Sequence, residues 1–465
     1  MNLKAHLNSP IFNIVSKIAQ SEDLETYVIG GFVRDTLIKR QCNQDIDFVC
    51  IGHGINLAKK VNNQLEGDST LTYFKNFGTA MIKYNEKCYE FVGARRESYR
   101  SNSRKPIVED GTLKDDQKRR DFTINAMAIS LNKNNYGDLL DPFNGVQDLK
   151  NKIIRTPLDP DITYSDDPLR MIRAIRFAST LNFNIHNDSL ESIKKHATRL
   201  SIVSQERITE ELNKILLSEK PSYGLQLLFK TKTMHQFFLE LTELKGVEEK
   251  DGFAHKDNFF HTLEVVDNIK SKTTNLWLIW AALLHDIAKP TTKRFNKKNG
   301  WTFHGHEVIG SRMASRIFKR LKLPLNEKMR YVQKLIRLHL RPIILSKEIV
   351  TDSAVRRLIF DAGEDIDDLM TLCEADITSK NINKVEKYIK NFQIVRGKIK
   401  EVEEKDEIRN WKPPIDGHEI MKLLQLKEGK KVGLIKESIK NAILDGEIEN
   451  NKEAAIKFIN KTIQL

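Results

Sequence analysis

The chain has 465 residues, 40% of them hydrophobic, and 76 Lys plus Arg against 63 Asp plus Glu give a formal net charge of +13. That apolar fraction excludes a disordered chain, and no apolar run reaches the roughly 18 residues of a membrane span. The scattered Cys42, Cys50, Cys88 and Cys373 exclude a disulfide framework and a zinc ribbon. The length suggests about three domains. The N-terminus lacks a secretory layout, so a reducing cytoplasm is the expected location and no membrane partner is expected. The positive surplus points to a polyanionic partner without choosing among RNA, DNA, nucleotides and acidic lipid.

In chain order, Tyr27–Ile29 reads as a strand, Phe32–Lys39 as a helix and Asp45–Ile51 as a strand. Thr79–Lys83 and Lys87–Val92 read as strands around a polar turn at Asn85, and Glu97–Lys118 as one long loop. After Pro142 strand signals largely stop. Pro168–Leu181, Asp188–Arg199, Gln205–Ser218 and Tyr223–Phe229 are helical, and amphipathic segments predominate from Asn258 onward. The charged run Glu401–Glu407 reads as solvated helix or linker, and Pro413–Pro414 marks a break before a last helical module. The expected class is α+β: a mixed-sheet head, then all-α regions.

The first chemical constellation is Gly30-Gly31-Phe32-Val33-Arg34-Asp35 followed by Asp45-Ile46-Asp47. A strand enters a Gly-Gly turn and a helix leaves it, which suits phosphate. Asp45 and Asp47 lie two apart on a strand, so both carboxylates share one face. A pair of Mg²⁺ ions fits there, with Glu90 the candidate third carboxylate. The bland reading, a glycine turn followed by surface acids, explains each half alone but not the two together.

The string GGFVRD…DIDF resembles the nucleotidyltransferase superfamily that includes DNA polymerase β. It is most similar to bacterial transfer-RNA nucleotidyltransferases (CCA-adding enzymes) and the related poly(A) polymerases. Arg119-Arg120-Asp121-Phe122-Thr123-Ile124-Asn125-Ala126 resembles that family's RRDFTINA signature. The resemblance implies a polymerase-β-like head in which Asp45 and Asp47 are catalytic metal ligands. It also implies that Gly30, Gly31, Arg34, Arg119, Arg120, Asp121 and Asn125 hold the incoming nucleotide. Ser165-Asp166-Asp167-Pro168-Leu169-Arg170 resembles the family's acidic-acidic-x-x-Arg motif, with Asp166 where the family usually has Glu. Asp167 and Arg170 are then the base readers, and Arg173 a further nucleotide or helix contact. Arg176 is open between phosphate binding and helix pairing. Asp141-Pro142-Phe143-Asn144-Gly145 resembles a connecting motif with a hinge role, and Ser204-Gln205-Glu206-Arg207-Ile208 one that braces the template helix rather than touching substrate.

A second constellation is His261, His285-Asp286 and Asp376, with His306 and His339 as further candidates. His285-Asp286 ends an apolar helix, where a buried ionisable pair needs a partner. The set resembles the ligands of HD-superfamily phosphohydrolases, which implies a transition metal (Mn²⁺, Co²⁺ or Ni²⁺) and a phosphohydrolase activity.

The expected division is 1–140 catalytic head, 141–250 neck and body, 251–380 HD domain and 381–465 RNA-binding tail. The expected function is template-independent addition of CCA to transfer RNA from CTP and ATP, with release of pyrophosphate. The alternatives are poly(A), CC-only or A-only addition, or an HD phosphohydrolase with an RNA-binding head. The sequence is silent on oligomeric state.

Overall fold

A computed structural model describes residues 1–40, 45–74, 78–100, 103–346, 351–379, 381–406 and 414–463. Cys42, Glu407 and Pro413 lie outside the described residues. The chain divides into two compact units, Met1–Leu239 and Glu240–Leu465.

The first unit opens with helix α1 (Pro10–Ser21), strand β1 (Thr26–Ile29), helix α2 (Gly31–Leu37), strand β2 (Asp45–Cys50) and helix α3 (Gly54–Gln64). Strands β3 (Ser69–Phe74), β4 (Thr79–Tyr84), β5 (Lys87–Gly93), β6 (Arg95–Arg100) and β7 (Ser103–Asp110) follow, then helix α4 (Leu113–Lys118) and strands β8 (Ala128–Ser130) and β9 (Leu139–Leu140). Seven strands form one mixed sheet in the order β3-β4-β5-β2-β1-β8-β9. β2 runs antiparallel to β1 and parallel to β5. Phe48 and Phe91, both fully buried, stack across that parallel pair at 4.8 Å. Phe12 of α1 covers Phe48 at 6.0 Å and Phe32 of α2 at 5.3 Å, so apolar burial holds both helices to the sheet. Asn85 and Glu86 both take positive φ, 49° and 60°, making the two-residue turn that twists β4 into β5.

The long loop expected over Glu97–Lys118 is corrected. β6 and β7 form an antiparallel hairpin, and α4 follows with a capping box between Thr112 and Asp115. The hairpin pairs only with itself, so no seven-stranded register imposes an alternating pattern on its sequence.

Beyond the sheet come α5 (Gly145–Asn151), β10 (Ile153–Ile154), α6 (Pro160–Asp166), α7 (Leu169–Leu181), β11 (Asn184–Ile185), α8 (Asn187–His196), α9 (Gln205–Leu216) and α10 (Pro221–Lys230). β10 and β11 pair in parallel, so strand structure does not wholly stop after Pro142. These pieces are two residues long, too short for a periodic signal.

A single turn, α11 (Leu239–Thr242), spans the boundary, and the second unit is mainly helical. Two small hairpins, β12 (Glu249–Lys250) with β13 (Phe253–Ala254) and β14 (Arg294–Asn296) with β15 (Gly300–Thr302), flank α12 (Asn258–Lys270), α13 (Leu276–Leu284) and α14 (Lys289–Thr292). α15 (His306–Arg320), α16 (Glu327–Leu338), α17 (Leu340–Leu345), α18 (Asp352–Ala362) and α19 (Ile366–Ala375) complete the bundle. α13 is buried from Leu278 to Leu284, which explains why it carries the longest apolar run. α20 (Ile382–Asp406), α21 (Gly417–Leu424), α22 (Lys430–Asp445) and α23 (Lys452–Ile463) end the chain. The last three share a core built on Ile420, Ile439 and Ile459. No described helix is long and apolar enough to cross a membrane.

Candidate active sites

The first site grows from the end of β1. Gly30 turns the chain at φ +82°, and a Cβ there would lie 3.1 Å from Asp47 Oδ2 and 3.2 Å from Arg120 Nη1. Only glycine meets both the conformation and the close approach. Gly31 then starts α2. Asp45 and Asp47 stand two apart on β2, and Asp47 is paired in register with Glu90 on β5. Burial pushes the Asp47 carboxyl above its usual range; Arg120 opposes the shift and Asp45 adds to it. Glu90 is raised by burial and then by Asp47. Carboxylates that resist ionising together fit divalent cations, whose charge would relieve both burial and mutual repulsion. Among the described residues, no gathering of three ligand atoms within 4.8 Å of one another includes these acids.

A cleft of about 310 Å³ opens on this face. Its walls include Asp47, Glu90, Arg119, Arg120, Asp121, Asp167, Arg170 and Arg173, together with Thr79, Arg95 and Arg207. Asp167 lies just ahead of α7, where its Oδ1 accepts from Leu169 N at 3.2 Å, and Arg170 donates to the Arg119 carbonyl at 2.6 Å. Asp166 faces a neighbouring cavity instead. Arg34 does not line the cleft. Its guanidinium is buried, donating to both Asp35 oxygens at 2.8 and 3.0 Å and to Asn125 Oδ1 at 2.8 Å.

Two supports escaped the sequence reading. Asp116 of α4 is fully buried and ion-pairs with both Arg119 and Arg120. Glu211 of α9 takes Arg176 Nε at 2.6 Å, which commits Arg176 to helix pairing. The expected bracing by Ser204–Ile208 thus comes from one turn further along α9, while Arg207 reaches the cleft, with no partner among the described residues. An acid followed three residues later by Arg119 was the available signal for Asp116. Nothing local marked Glu211.

Asp121 is the hub of the wall. Arg173 donates to its Oδ2 at 2.6 and 2.9 Å, and Asn125 Nδ2 to its Oδ1 at 3.0 Å. Burial opposes the charge, but Arg173 and Asn125 hold the carboxyl down at about 2. A folded value below the unfolded 3.8 stabilises the fold above that value and is lost as pH falls toward 2. The contribution is about 2 kcal/mol at neutral pH. Replacing Asp121 by Asn is therefore expected to destabilise the protein most at pH 6, with the difference from wild type narrowing by about 1 kcal/mol at pH 3. Denaturant unfolding at the two pH values measures it, and a difference that does not change with pH contradicts the assignment.

The second site is a buried histidine-carboxylate cluster. His261, His285 and Asp286 bring ligand atoms within 4.8 Å of one another, as do Asp286, His306 and His339. His261 Nε2 lies 2.9 Å from Asp376 Oδ1 and 3.5 Å from Asp286 Oδ2. His285, His306 and His339 each place Nδ1 at 2.6–2.7 Å from a carbonyl three residues earlier, which turns Nε2 of each inward. Such outer bonds orient metal-binding imidazoles. His285 Nε2 lies 3.2 Å from Asp286 Oδ2 and 3.6 Å from Asp376 Oδ1, a buried convergence of imidazole and carboxylate atoms whose donor set fits a cation. Burial disfavours a charged His285, yet Asp286 and Asp376 hold its proton up to about 10. A bound cation would displace that proton. Lys289 pairs with Asp286 at 2.5 Å and was not foreseen.

The chain matches three family models: Poly A polymerase head domain over residues 26–155, probable RNA and SrmB-binding site of polymerase A over 182–245, and HD domain over 258–381. An A-adding tRNA nucleotidyltransferase of Deinococcus radiodurans is 30% identical over 74% of this chain and 78% of its own length. A CCA-adding enzyme of Streptococcus thermophilus is 27% identical over 97% of this chain and 96% of its own. The crystal structure of the Bacillus stearothermophilus CCA-adding enzyme in complex with CTP shares the fold, with a TM-score of 0.67, 21% identity and 98% coverage of each chain.

Proposed function

Because the chain belongs to the transfer-RNA nucleotidyltransferase family, we propose that it adds C, C and A to the 3′ end of transfer RNA from CTP and ATP. The observation that carries this reading is the cleft that joins the Asp47–Glu90 carboxylates to the Asp167–Arg170 pair in one cavity. The RNA 3′-hydroxyl oxygen bonds to the α-phosphorus, the bond to the β-phosphate breaks, pyrophosphate leaves and the hydroxyl proton passes to water. Mg²⁺ ions held by Asp45 and Asp47, with Glu90 beside them, would supply charge neutralisation and a more acidic attacking hydroxyl. Gly30 lets the backbone approach the triphosphate. Arg119 and Arg120, held by Asp116, meet it with preset guanidinium groups, so little ordering is left to the reacting state.

Asp167 offers acceptors and Arg170 donors, which suits reading a base edge without a nucleic-acid template. Arg170→Ala is expected to relax discrimination against GTP and UTP by about tenfold or more, the value of one well-placed hydrogen-bonding group. Incorporation of each of the four nucleotides, measured separately, checks this, and unchanged fidelity with lost RNA binding would refute the template role.

The test of the whole reading uses transcripts ending before the tail, after C and after CC, each incubated with CTP, ATP or both, and the products sequenced. Addition of A alone would favour the second reading, to which the Deinococcus relative's name points. We also propose that His261, His285, Asp286 and Asp376, with His306 and His339 alongside, hold Mn²⁺, Co²⁺ or Ni²⁺ and hydrolyse a phosphoester. The four expected regions, 1–140, 141–250, 251–380 and 381–465, follow these roles, and a cytoplasmic location suits an enzyme acting on transfer RNA.

A further inference from the structure

Each imidazole of the second site must keep Nε2 turned inward, and the chain achieves this in two different ways. His285, His306 and His339 bond Nδ1 to the carbonyls of Ala282, Phe303 and Ile336, each three residues back in the same segment. A carbonyl only accepts, so the proton sits on Nδ1 and Nε2 is left for a cation. His261 is held differently. Its Nδ1 lies 2.8 Å from Thr378 Oγ1, 117 residues away along the chain. Thr378 is buried and follows α19, two positions after Asp376. Asn268 Nδ2 of α12 donates to the Ala375 carbonyl at 2.9 Å, so the end of α19 is fastened to the helix that carries His261. Lys256 Nζ, a donor only, lies 3.5 Å from the same Thr378 oxygen. Two donors thus converge on one hydroxyl, whose two lone pairs can take both.

We propose that Thr378 is a positioning residue of the histidine cluster: its hydroxyl accepts from His261 Nδ1–H and so aims Nε2 at the metal position shared with Asp286 and Asp376. The proposal rests on the reading that the cluster holds a transition metal. Holder and ligand lie on one short stretch, Asp376 to Thr378, so one backbone placement sets both a carboxylate and an imidazole. His261 Nε2 is 2.9 Å from Asp376 Oδ1 and 3.5 Å from Asp286 Oδ2. Without the hydroxyl the Nδ1–H has no acceptor in its place, and the ring is free to turn about χ2 to find one. The other three rings keep their local carbonyl bonds, so the loss is confined to one ligand and the site is weakened rather than abolished.

The experiment compares wild type, Thr378→Val, which keeps the shape and removes the hydroxyl, and Thr378→Ser, which keeps the hydroxyl. Thr371→Val is the control, because that hydroxyl bonds the Asp367 carbonyl of its own helix. Calorimetric titration of the full-length protein with Mn²⁺ reads affinity directly. Thr378→Val should bind Mn²⁺ about 10- to 100-fold more weakly, while Thr378→Ser and Thr371→Val should stay within about threefold of wild type. The Mn²⁺ concentration giving half-maximal hydrolysis of a cyclic phosphate should rise by the same factor in Thr378→Val, with KM for the phosphoester at saturating Mn²⁺ within about twofold. A metal-free crystal structure of Thr378→Val should show the His261 ring turned, with Nε2 drawn away from Asp376. Wild-type Mn²⁺ affinity in Thr378→Val would overturn the proposal. So would Thr378→Ser as weak as Thr378→Val, which would assign the loss to packing. A wild-type protein that binds no Mn²⁺, Co²⁺ or Ni²⁺ would defeat the metal reading instead. The crystal structure would then still decide whether Thr378 holds the ring, and an unmoved His261 would overturn that as well.

Discussion

Asp47→Asn should lower nucleotide addition by roughly 10³-fold or more while leaving the protein folded. The two effects separate because Asp47 is not part of the wall's ion-pair scaffold. Arg120, its nearest cation, already has Asp116 as partner. Burial and the neighbouring Asp45 make the Asp47 charge costly to the fold, so a neutral isostere removes a strain rather than a bond. In the absence of divalent cation the melting temperature is expected to hold or rise. In saturating Mg²⁺ the wild type should gain stability that the variant lacks, because binding to the folded state alone stabilises it. Single-turnover addition and thermal unfolding with and without Mg²⁺ measure both. Addition within tenfold of wild type would sink the catalytic assignment.

The second large effect belongs to the histidine cluster. Asp286 lies within 3.5 Å of His261, His285 and His306 nitrogens at once, so its charge serves every neighbouring ligand. Asp286→Asn keeps the shape and removes the charge. Affinity for Mn²⁺, Co²⁺ or Ni²⁺ should fall by at least ~10²-fold, with loss of cyclic-phosphate hydrolysis. Nucleotide addition should stay within about twofold, since the carboxylates of the first site lie in the other compact unit. Metal content after dialysis and the two activity assays report this. Full metal retention in the variant would remove Asp286 from the ligand set, and loss of addition would show that the sites are coupled.

The strands carrying Asp45, Asp47 and Glu90 were legible in the sequence, as were the Gly30 turn and the helix after Asp167. Each depends on neighbours within a few residues: alternation on β2 and β5, positive φ at Gly30, capping ahead of α7. The β6–β7 hairpin was not legible, because it pairs with itself and no strand of the larger sheet sets its pattern. Arg34 shows what spacing leaves out. Its type and position suit a phosphate ligand, and the fold also gives it Asp35 and, 91 residues away, Asn125 as hydrogen-bond partners.

The sequence by itself determined the chemistry: which acids, arginines and histidines this protein has, and that they fall into two constellations. Spacing along a strand or helix is a local property, so a single chain displays it openly. Only the tertiary structure decided how those groups are held and what adjoins them. Asp116 brackets two arginines from inside the fold, Glu211 braces α7 from α9, and Thr378 meets His261 from 117 residues away. Packing, not periodicity, brings such residues together. A buried carboxylate or imidazole has meaning only once its surroundings are in place.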